Sequence, residues 1–125
     1  MKEDINSRQN IERLVNEFYL RVIDDEIIGY IFSNIKGFSF QKHIHVMVSF
    51  WETLLLGIVN YKGNPMIKHI ELNKIIPLRP AHFTQWLKLW EEAVIENFSG
   101  KNANEAISKA KNIAGLMQFK IKKVV

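Results

Sequence analysis

The sequence predicts an all-α fold of four long helices joined by short connectors. Apolar residues recur with a period near 3.6 along most of the 125 residues, which is the spacing of one face of an α-helix. No stretch shows the strict alternation of apolar and polar residues that is typical of a half-buried strand. The chain has no cysteine, so its core must be held by packing rather than by disulfides.

The first two long helices are marked by apolar stripes and by a candidate cap. Asn6 or Ser7 can cap the first helix, because either side chain can accept a hydrogen bond from a free backbone N–H of the first turn. The second helix is predicted over Phe40–Ile58, after a short apolar link at Ile27–Phe32 and a break at Gly37. The stripes are Ile11, Leu14, Val15, Phe18, Val22 and Ile23 in the first helix, and Ile44, Met47, Trp51, Leu54, Leu55 and Ile58 in the second.

Prolines and glycines locate the remaining helices. Residues 62–65, with the sequence Lys-Gly-Asn-Pro, predict a turn that caps a short helix reaching about residue 72. A third long helix is predicted over Pro80–Phe98, and a last helix begins near Asn102 or Asn104. Their stripes are Phe83, Trp86, Leu87, Trp90 and Val94, and then Ile107, Ala110, Ile113, Ala114 and Met117.

Charge is distributed unevenly along the chain. The net charge is +4, and residues 101–125 contribute +5 from six lysines and one glutamate, which leaves −1 for the rest. A basic segment can attract nucleic acid or anionic lipid, but this one lacks the interleaved arginine and aromatic residues that favour nucleic-acid binding. We therefore interpret it as a solvated helix face and expect neither a nucleic-acid nor a membrane partner.

The chain start and the length suggest a cytoplasmic single domain. The first ten residues, MKEDINSRQN, lack the apolar core of a secretory signal. The length suits one domain over residues 1–125, with an ordered core at about 7–120. No heptad repeat or interface pattern is evident, so we expect a monomer.

Any metal must rest on histidine, carboxylate, tyrosine or methionine, because the absence of cysteine excludes thiolate ligands. His43 and His45 diverge by about 200° on a helix, and no two histidines are four residues apart, so a zinc site lacks support. His69 differs from these, because it follows Met66 by one turn on the inward side of the short predicted helix. A neutral imidazole there can coordinate haem iron; the alternative is a histidine hydrogen-bonded at the edge of the core.

The other histidines have less distinctive positions. His43 shares a line with Met47 and Phe50 at the border of its apolar stripe. It either stands at the mouth of a pocket or is a boundary residue with one nitrogen in water. His45 and His82 are expected to be exposed.

Tyr19 and Trp86 lie on inward faces, and each carries a hydrogen-bond donor that needs a partner when buried. Four helices leave few free backbone acceptors for them. Oxygen at a haem iron would satisfy both donors, since it draws electron density, and each such bond contributes about 1.5–3 kcal/mol. The alternatives are that Tyr19 bonds to another side chain and that Trp86 only grazes the core.

Five sequence blocks follow one another along the chain. They are Phe18-Tyr19; Tyr30-Ile31-Phe32; His43 with Phe50-Trp51; Tyr61-x-Gly63-x-Pro65-x-x-x-His69; and His82-Phe83-x-x-Trp86-Leu87-x-Leu89-Trp90. This order resembles the truncated haemoglobins of group III, over about residues 10–117. The chain has no Gly-Gly pair, which favours group III over the other truncated groups.

The resemblance implies a globin-like, truncated two-over-two helical sandwich around haem b. It implies that His69 is the proximal iron ligand and that Tyr19 and Trp86 are distal donors to oxygen, nitric oxide or carbon monoxide. His43 would gate or polarise the distal pocket. The stretch 70–81 is longer than the family pattern and contains a candidate cation for the haem edge, Arg79. The predicted cofactor-binding residues are Phe32, His43, Met47, Phe50, Trp51, Met66, His69, Arg79 and Trp86.

Two other functions are open from the sequence. The same haem can serve an enzyme, a nitric oxide dioxygenase or a peroxidase. Because the chain has no G-x-G-x-x-G motif for a flavin or nicotinamide, that enzyme would need an external reductase. A helical interaction module without a cofactor is the third possibility. We assign no catalytic residue.

Overall fold

The described residues form four long helices and one short helix, which confirms the predicted all-α fold. The structure is a computed structural model that describes residues 2–33, 39–59, 61, 63, 73 and 77–124, without the side chains of residues 33 and 122–124. The helices are α1 (Arg8–Ile23), α2 (Gly29–Ser33), α3 (Phe40–Leu56), α4 (Pro80–Asn97) and α5 (Lys101–Val124). Within this part of the chain there is no β-strand, and no helix has both the length and the hydropathy that crossing a membrane requires.

Helix ends follow the local sequence. Ser7 caps α1 by accepting a hydrogen bond from the backbone N–H of Asn10 at 3.2 Å, as predicted. Gly57 ends α3 with a φ of 72°, a left-handed conformation that favours glycine. As a result Ile58, predicted as the last residue of the second stripe, lies outside the helix and is 49% exposed. Ile23, at the end of the first stripe, is also exposed.

α1 is the central element of the described fold. It packs against both α3 and α4, and α2 folds back onto it. α4 and α5 pack along each other, because α5 presents buried alanines that let the two helix backbones approach. These alanines are Ala103, Ala106, Ala110 and Ala114. The pairs α1–α3 and α4–α5 form the two layers of the predicted two-over-two sandwich.

The core divides into a large cluster and a small one. The large cluster includes Phe18 and Trp90, the two largest of its fully buried side chains. The small cluster lies on α4 and α5 and consists of Phe83, Ala114, Met117 and Ile121. Trp86 and Leu87 are partly buried and pack against both clusters. Trp86 therefore lies at the junction between the two parts of the core.

The N-terminal residues are tied to the start of α5. The Asp4 carboxylate accepts hydrogen bonds from the backbone N–H groups of Asn102 (3.0 Å) and Ala103 (2.9 Å), and so caps this helix from the other end of the chain. Gly100 has a φ of 132°, and a Cβ there would lie 2.6 Å from the carboxyl carbon of Asp4. Burial opposes the ionisation of Asp4, but these backbone donors and that of Ile5 outweigh it and lower the pKa of the carboxyl.

Asp4→Asn is expected to lower the free energy of unfolding by about 1–2 kcal/mol, because it removes a charged cap from α5. The folded-state pKa of Asp4 lies below its ordinary value of about 3.9, so this contribution is complete above about pH 4 and is lost as the pH falls through the folded-state pKa. Urea unfolding as a function of pH measures it. Asp24→Asn, which changes an exposed aspartate, is the control, and an equal loss in both variants would contradict the capping role.

Candidate functional site

Tyr19 and His43 meet in the interior from two different helices. Tyr19 lies on α1 and is 5% exposed, and the half-buried His43 lies near the start of α3. Tyr19 Oη and His43 Nε2 are 2.5 Å apart, which is a hydrogen-bond distance. The sequence left open whether Tyr19 bonds to another side chain, and in the structure it does.

Aromatic rings surround this pair. Phe32, on α2, lies 5.9 Å from the ring centroids of both Tyr19 and His43. Phe40, at the start of α3, lies 6.2 Å from the Tyr19 ring and 5.6 Å from the Phe32 ring. The hydroxyl and the imidazole therefore interact in apolar surroundings, where electrostatic interactions are stronger than in water.

The proton between Tyr19 and His43 has two possible positions. Burial raises the pKa of the Tyr19 hydroxyl, so this group keeps its proton at neutral pH. If His43 Nε2 is unprotonated, it accepts the hydroxyl proton. If His43 Nε2 carries a proton, it donates to Tyr19 Oη and leaves the hydroxyl proton for a third group. The protonation of His43 Nε2 thus decides whether Tyr19 can act as a donor to a ligand.

Trp86 is joined to the same region through Phe18. The Phe18 ring is 4.8 Å from the Tyr19 ring and 6.0 Å from the Trp86 ring, in both cases edge-on. The half-buried Trp86 ring lies nearly parallel to Trp90 at 6.4 Å, and Trp90 stacks on Trp51 at 4.5 Å. The two predicted donors, Tyr19 and Trp86, therefore both contact the ring of Phe18.

Three predicted lining residues lie along α3. Met47 and Phe50 follow His43 by one and two turns on the same face, and both are half-buried. Trp51 is 2% exposed and belongs to the large cluster. The face formed by His43, Met47 and Phe50 is apolar along most of its length and still partly accessible.

Tyr61 adds a donor beside this face. Its ring packs edge-on against Phe50 at 5.2 Å, and its buried hydroxyl has no hydrogen-bond partner among the described residues. Burial raises the pKa of this hydroxyl, so it stays protonated. A Cβ at residue 63 would clash with the hydroxyl, so Gly63 gives the ring its room. An apolar face with an unpaired donor fits a flat apolar group that carries acceptor atoms at its edge, and haem has this chemistry.

Tyr61 stands in the motif Tyr61-x-Gly63-x-Pro65, but the motif predicts no role for it. The missing information was its burial, which no spacing in the sequence reveals. Met66 and His69, the predicted iron ligand, belong to residues 64–72, which lie outside the described part of the chain. Among the residues that are described, no group of three or more histidines and carboxylates could hold a metal ion.

Arg79 and His82 form a capping contact at the start of α4. The Arg79 N–H donates to His82 Nδ1 at 2.9 Å, and the His82 N–H donates back to the Arg79 carbonyl at 2.9 Å. His82 Nε2 lies 3.0 Å from Tyr30 Oη, and because Nδ1 accepts, Nε2 carries the proton and donates. His82 is thus bonded through both ring nitrogens. It is also half-buried, so the expectation of an exposed ring was wrong. Arg79 is exposed, and its role at a haem edge stays a prediction.

Comparisons with known proteins agree with this architecture. A family model described as bacterial-like globin matches residues 2–119. The group 3 truncated hemoglobin ctb of Campylobacter jejuni subsp. jejuni is 32% identical over 121 residues, which cover 94% of this chain and 93% of that protein. The crystal structure of group III truncated hemoglobin from Campylobacter jejuni matches with a TM-score of 0.86 at 31% identity, over 97% of this chain and 95% of that chain. The resemblance to group III is thereby confirmed.

His82→Ala is expected to lower the free energy of unfolding by about 0.5–1.5 kcal/mol at neutral pH. Burial, and after it the charge of Arg79, lower the pKa of His82, and protonation would remove the Nδ1 acceptor. Because the folded-state pKa is lowered, the contribution is complete above about pH 6.5 and is lost as the pH falls through the folded-state pKa. Thermal unfolding at several pH values measures this loss. His45→Ala, at an exposed histidine of α3, is the control; a pH dependence of stability that survives in His82→Ala would refute the assignment.

Proposed function

This chain belongs to the bacterial-like globin family, and on that premise we propose that it binds haem b and takes oxygen, nitric oxide or carbon monoxide at the haem iron. The observation that carries the proposal is the hydrogen bond between Tyr19 and His43 inside an aromatic surround. Polar groups are unfavourable in an apolar interior unless they have polar partners, and a diatomic ligand at iron is such a partner. Bound haem supplies iron with one position for a small ligand.

We propose His69 as the iron ligand that the protein provides. Two considerations support this choice: family membership, and the sequence pattern, which predicts His69 on the inward side of a separately capped short helix. The other histidines have different environments. His43 bonds to Tyr19, His82 is bonded through both ring nitrogens, and His45 is exposed.

In this proposal the Tyr19 hydroxyl donates a hydrogen bond to the ligand. Its hydroxyl stays protonated because it is buried. When His43 Nε2 donates to Tyr19 Oη, the hydroxyl proton is available to an acceptor with partial negative charge. A bond of that kind contributes about 1.5–3 kcal/mol, which corresponds to roughly ten- to a hundredfold slower dissociation of the ligand. His43 thereby sets the strength of the donor without being the donor itself.

Trp86 is the second proposed donor. No described residue accepts a hydrogen bond from its indole N–H, whereas the N–H of Trp90 donates to the Ala106 carbonyl at 3.1 Å.

The apolar body of the haem would lie against Phe32, Met47 and Phe50, all of which are partly buried at the edge of the large cluster. The Tyr61 hydroxyl, which has no partner among the described residues, would donate a hydrogen bond to an acceptor atom at the edge of the haem.

His69→Ala is expected to weaken haem retention by more than about a hundredfold, because changes in the groups around a metal ligand already cost about 10- to 100-fold. Haem titration followed by the Soret absorbance measures the affinity, and added imidazole should restore the band in the variant. His45→Ala is the matched control and should bind like the wild type. Unchanged affinity in His69→Ala would reject this ligand, and a wild-type chain that binds no haem would reject the proposed function.

Tyr19→Phe and Trp86→Phe are each expected to speed oxygen dissociation by roughly ten- to a hundredfold, since each removes one donor and keeps most of the ring packing. Displacement of oxygen by carbon monoxide in stopped flow measures the rate. Tyr30→Phe is the control, because its hydroxyl bonds to His82 and not to Tyr19 or His43. Equal rates in Tyr19→Phe and in the control would show that Tyr19 does not touch the ligand.

A further inference from the structure

The three tryptophans of this chain stack in one column. The Trp51 and Trp90 planes are 22° apart with their centroids at 4.5 Å, and the Trp90 and Trp86 planes are 10° apart at 6.4 Å. We call these three residues the tryptophan column. In the described part of the chain the backbones of α3 and α4 do not approach one another, so Trp51 and Trp90 bridge the two helices through their side chains.

Trp90 is fixed from several directions. It is 2% exposed, and Trp51 covers one face of its ring. Phe18 stands edge-on to it at 5.2 Å, with 82° between the planes. Its indole N–H donates to the Ala106 carbonyl of α5, so it also binds a third helix. These contacts leave the Trp90 side chain little freedom to rotate.

Trp86 has fewer restraints. It is half-buried, and its ring is oriented by the flat face of Trp90 and by the edge contact with Phe18. Its indole N–H bonds to no described residue. Trp86 also packs against both core clusters, and the nearly parallel Trp90 ring and the edge of Phe18 are the aromatic contacts that orient its N–H.

We propose that Trp90 is a positioning residue that aims the Trp86 indole N–H at the ligand. This inference rests on the proposed function, since it assigns Trp90 a role only through the donor Trp86. A hydrogen bond weakens steeply as its angle departs from linearity, so a donor that can tilt loses part of its effect. Trp51 stacks on Trp90, so its effect on the Trp86 N–H runs through Trp90.

The test uses the haem-loaded full chain with Trp90→Leu, which removes the flat face, and Trp90→Phe, which keeps an aromatic face of smaller area. Oxygen dissociation is expected to speed by about three- to tenfold in Trp90→Leu, which is part of the full effect of one charge-assisted hydrogen bond. Trp90→Phe should recover most of the wild-type rate. The infrared band of bound carbon monoxide, which reports the polarity around the ligand, should broaden or split in Trp90→Leu.

A control separates positioning from loss of packing. Phe98→Leu removes another 2% exposed aromatic residue of the same core, at the end of α4 and roughly 18 Å along the helix from Trp86. It should lower the thermal midpoint as Trp90→Phe does and leave both the dissociation rate and the infrared band unchanged. A change in rate that follows the loss of stability in Phe98→Leu would overturn the inference.

The decisive measurement is a double-mutant cycle with Trp86→Phe. If Trp90 acts through the Trp86 N–H, adding Trp90→Leu or Trp90→Phe to Trp86→Phe should change the rate by less than about twofold. Additive effects would refute the inference and leave the proposed function standing. A wild-type chain without a Soret band would instead reject the proposed function itself. Should Trp90→Leu fail to fold, the same cycle is read from Trp51→Leu, which removes the ring that stacks on Trp90, and an unchanged rate and band in Trp51→Leu count against positioning.

Discussion

The site depends on α1 being held at a fixed register against α3 while it also packs on α4. Two polar contacts set that register: Arg8 donates to Glu52 at 2.8 Å at one end, and Tyr19 meets His43 at the other. The partners lie eleven residues apart on α1 and nine apart on α3 in reverse order, so the two helices run antiparallel. Because Glu52 is only 4% exposed, the Arg8 guanidinium compensates a carboxylate that is largely removed from water.

Adjacent residues of α1 then serve the two sides of the site. Phe18 contacts the rings of Trp86 and Trp90 on α4, and Tyr19, the next residue, points its hydroxyl at α3. Successive helix residues diverge by about 100°, so a single turn of α1 can reach both neighbouring helices. The spacing between the two candidate donors is thereby set by a rigid helix rather than by a loop, which favours a preorganised pocket.

The interior also explains how polar groups are kept in an apolar site. Tyr19 is buried with a partner, while Tyr61 is buried without a described one. Trp86 stands at the junction of the two core clusters with its N–H unpaired among the described residues. Unpaired buried donors are rare in folded proteins because each is unfavourable, so the Tyr61 hydroxyl beside the apolar face of α3 indicates an acceptor that the described residues do not supply.

The sequence by itself determined what local physics controls: the helices, the Ser7 cap, the proline start of α4 and the inward faces of Tyr19 and Trp86. Its order of motifs also identified the family correctly. Only the tertiary structure decided which inward residues meet, because partners such as Tyr19 and His43 are brought together by packing between helices and not by spacing along one helix. The same reason accounts for two features that the sequence did not reveal: His82 is bonded to Tyr30 from another helix, and α5 is capped by an aspartate almost a whole chain away. The error at Ile58 was local instead, because the left-handed Gly57 ends α3 before it.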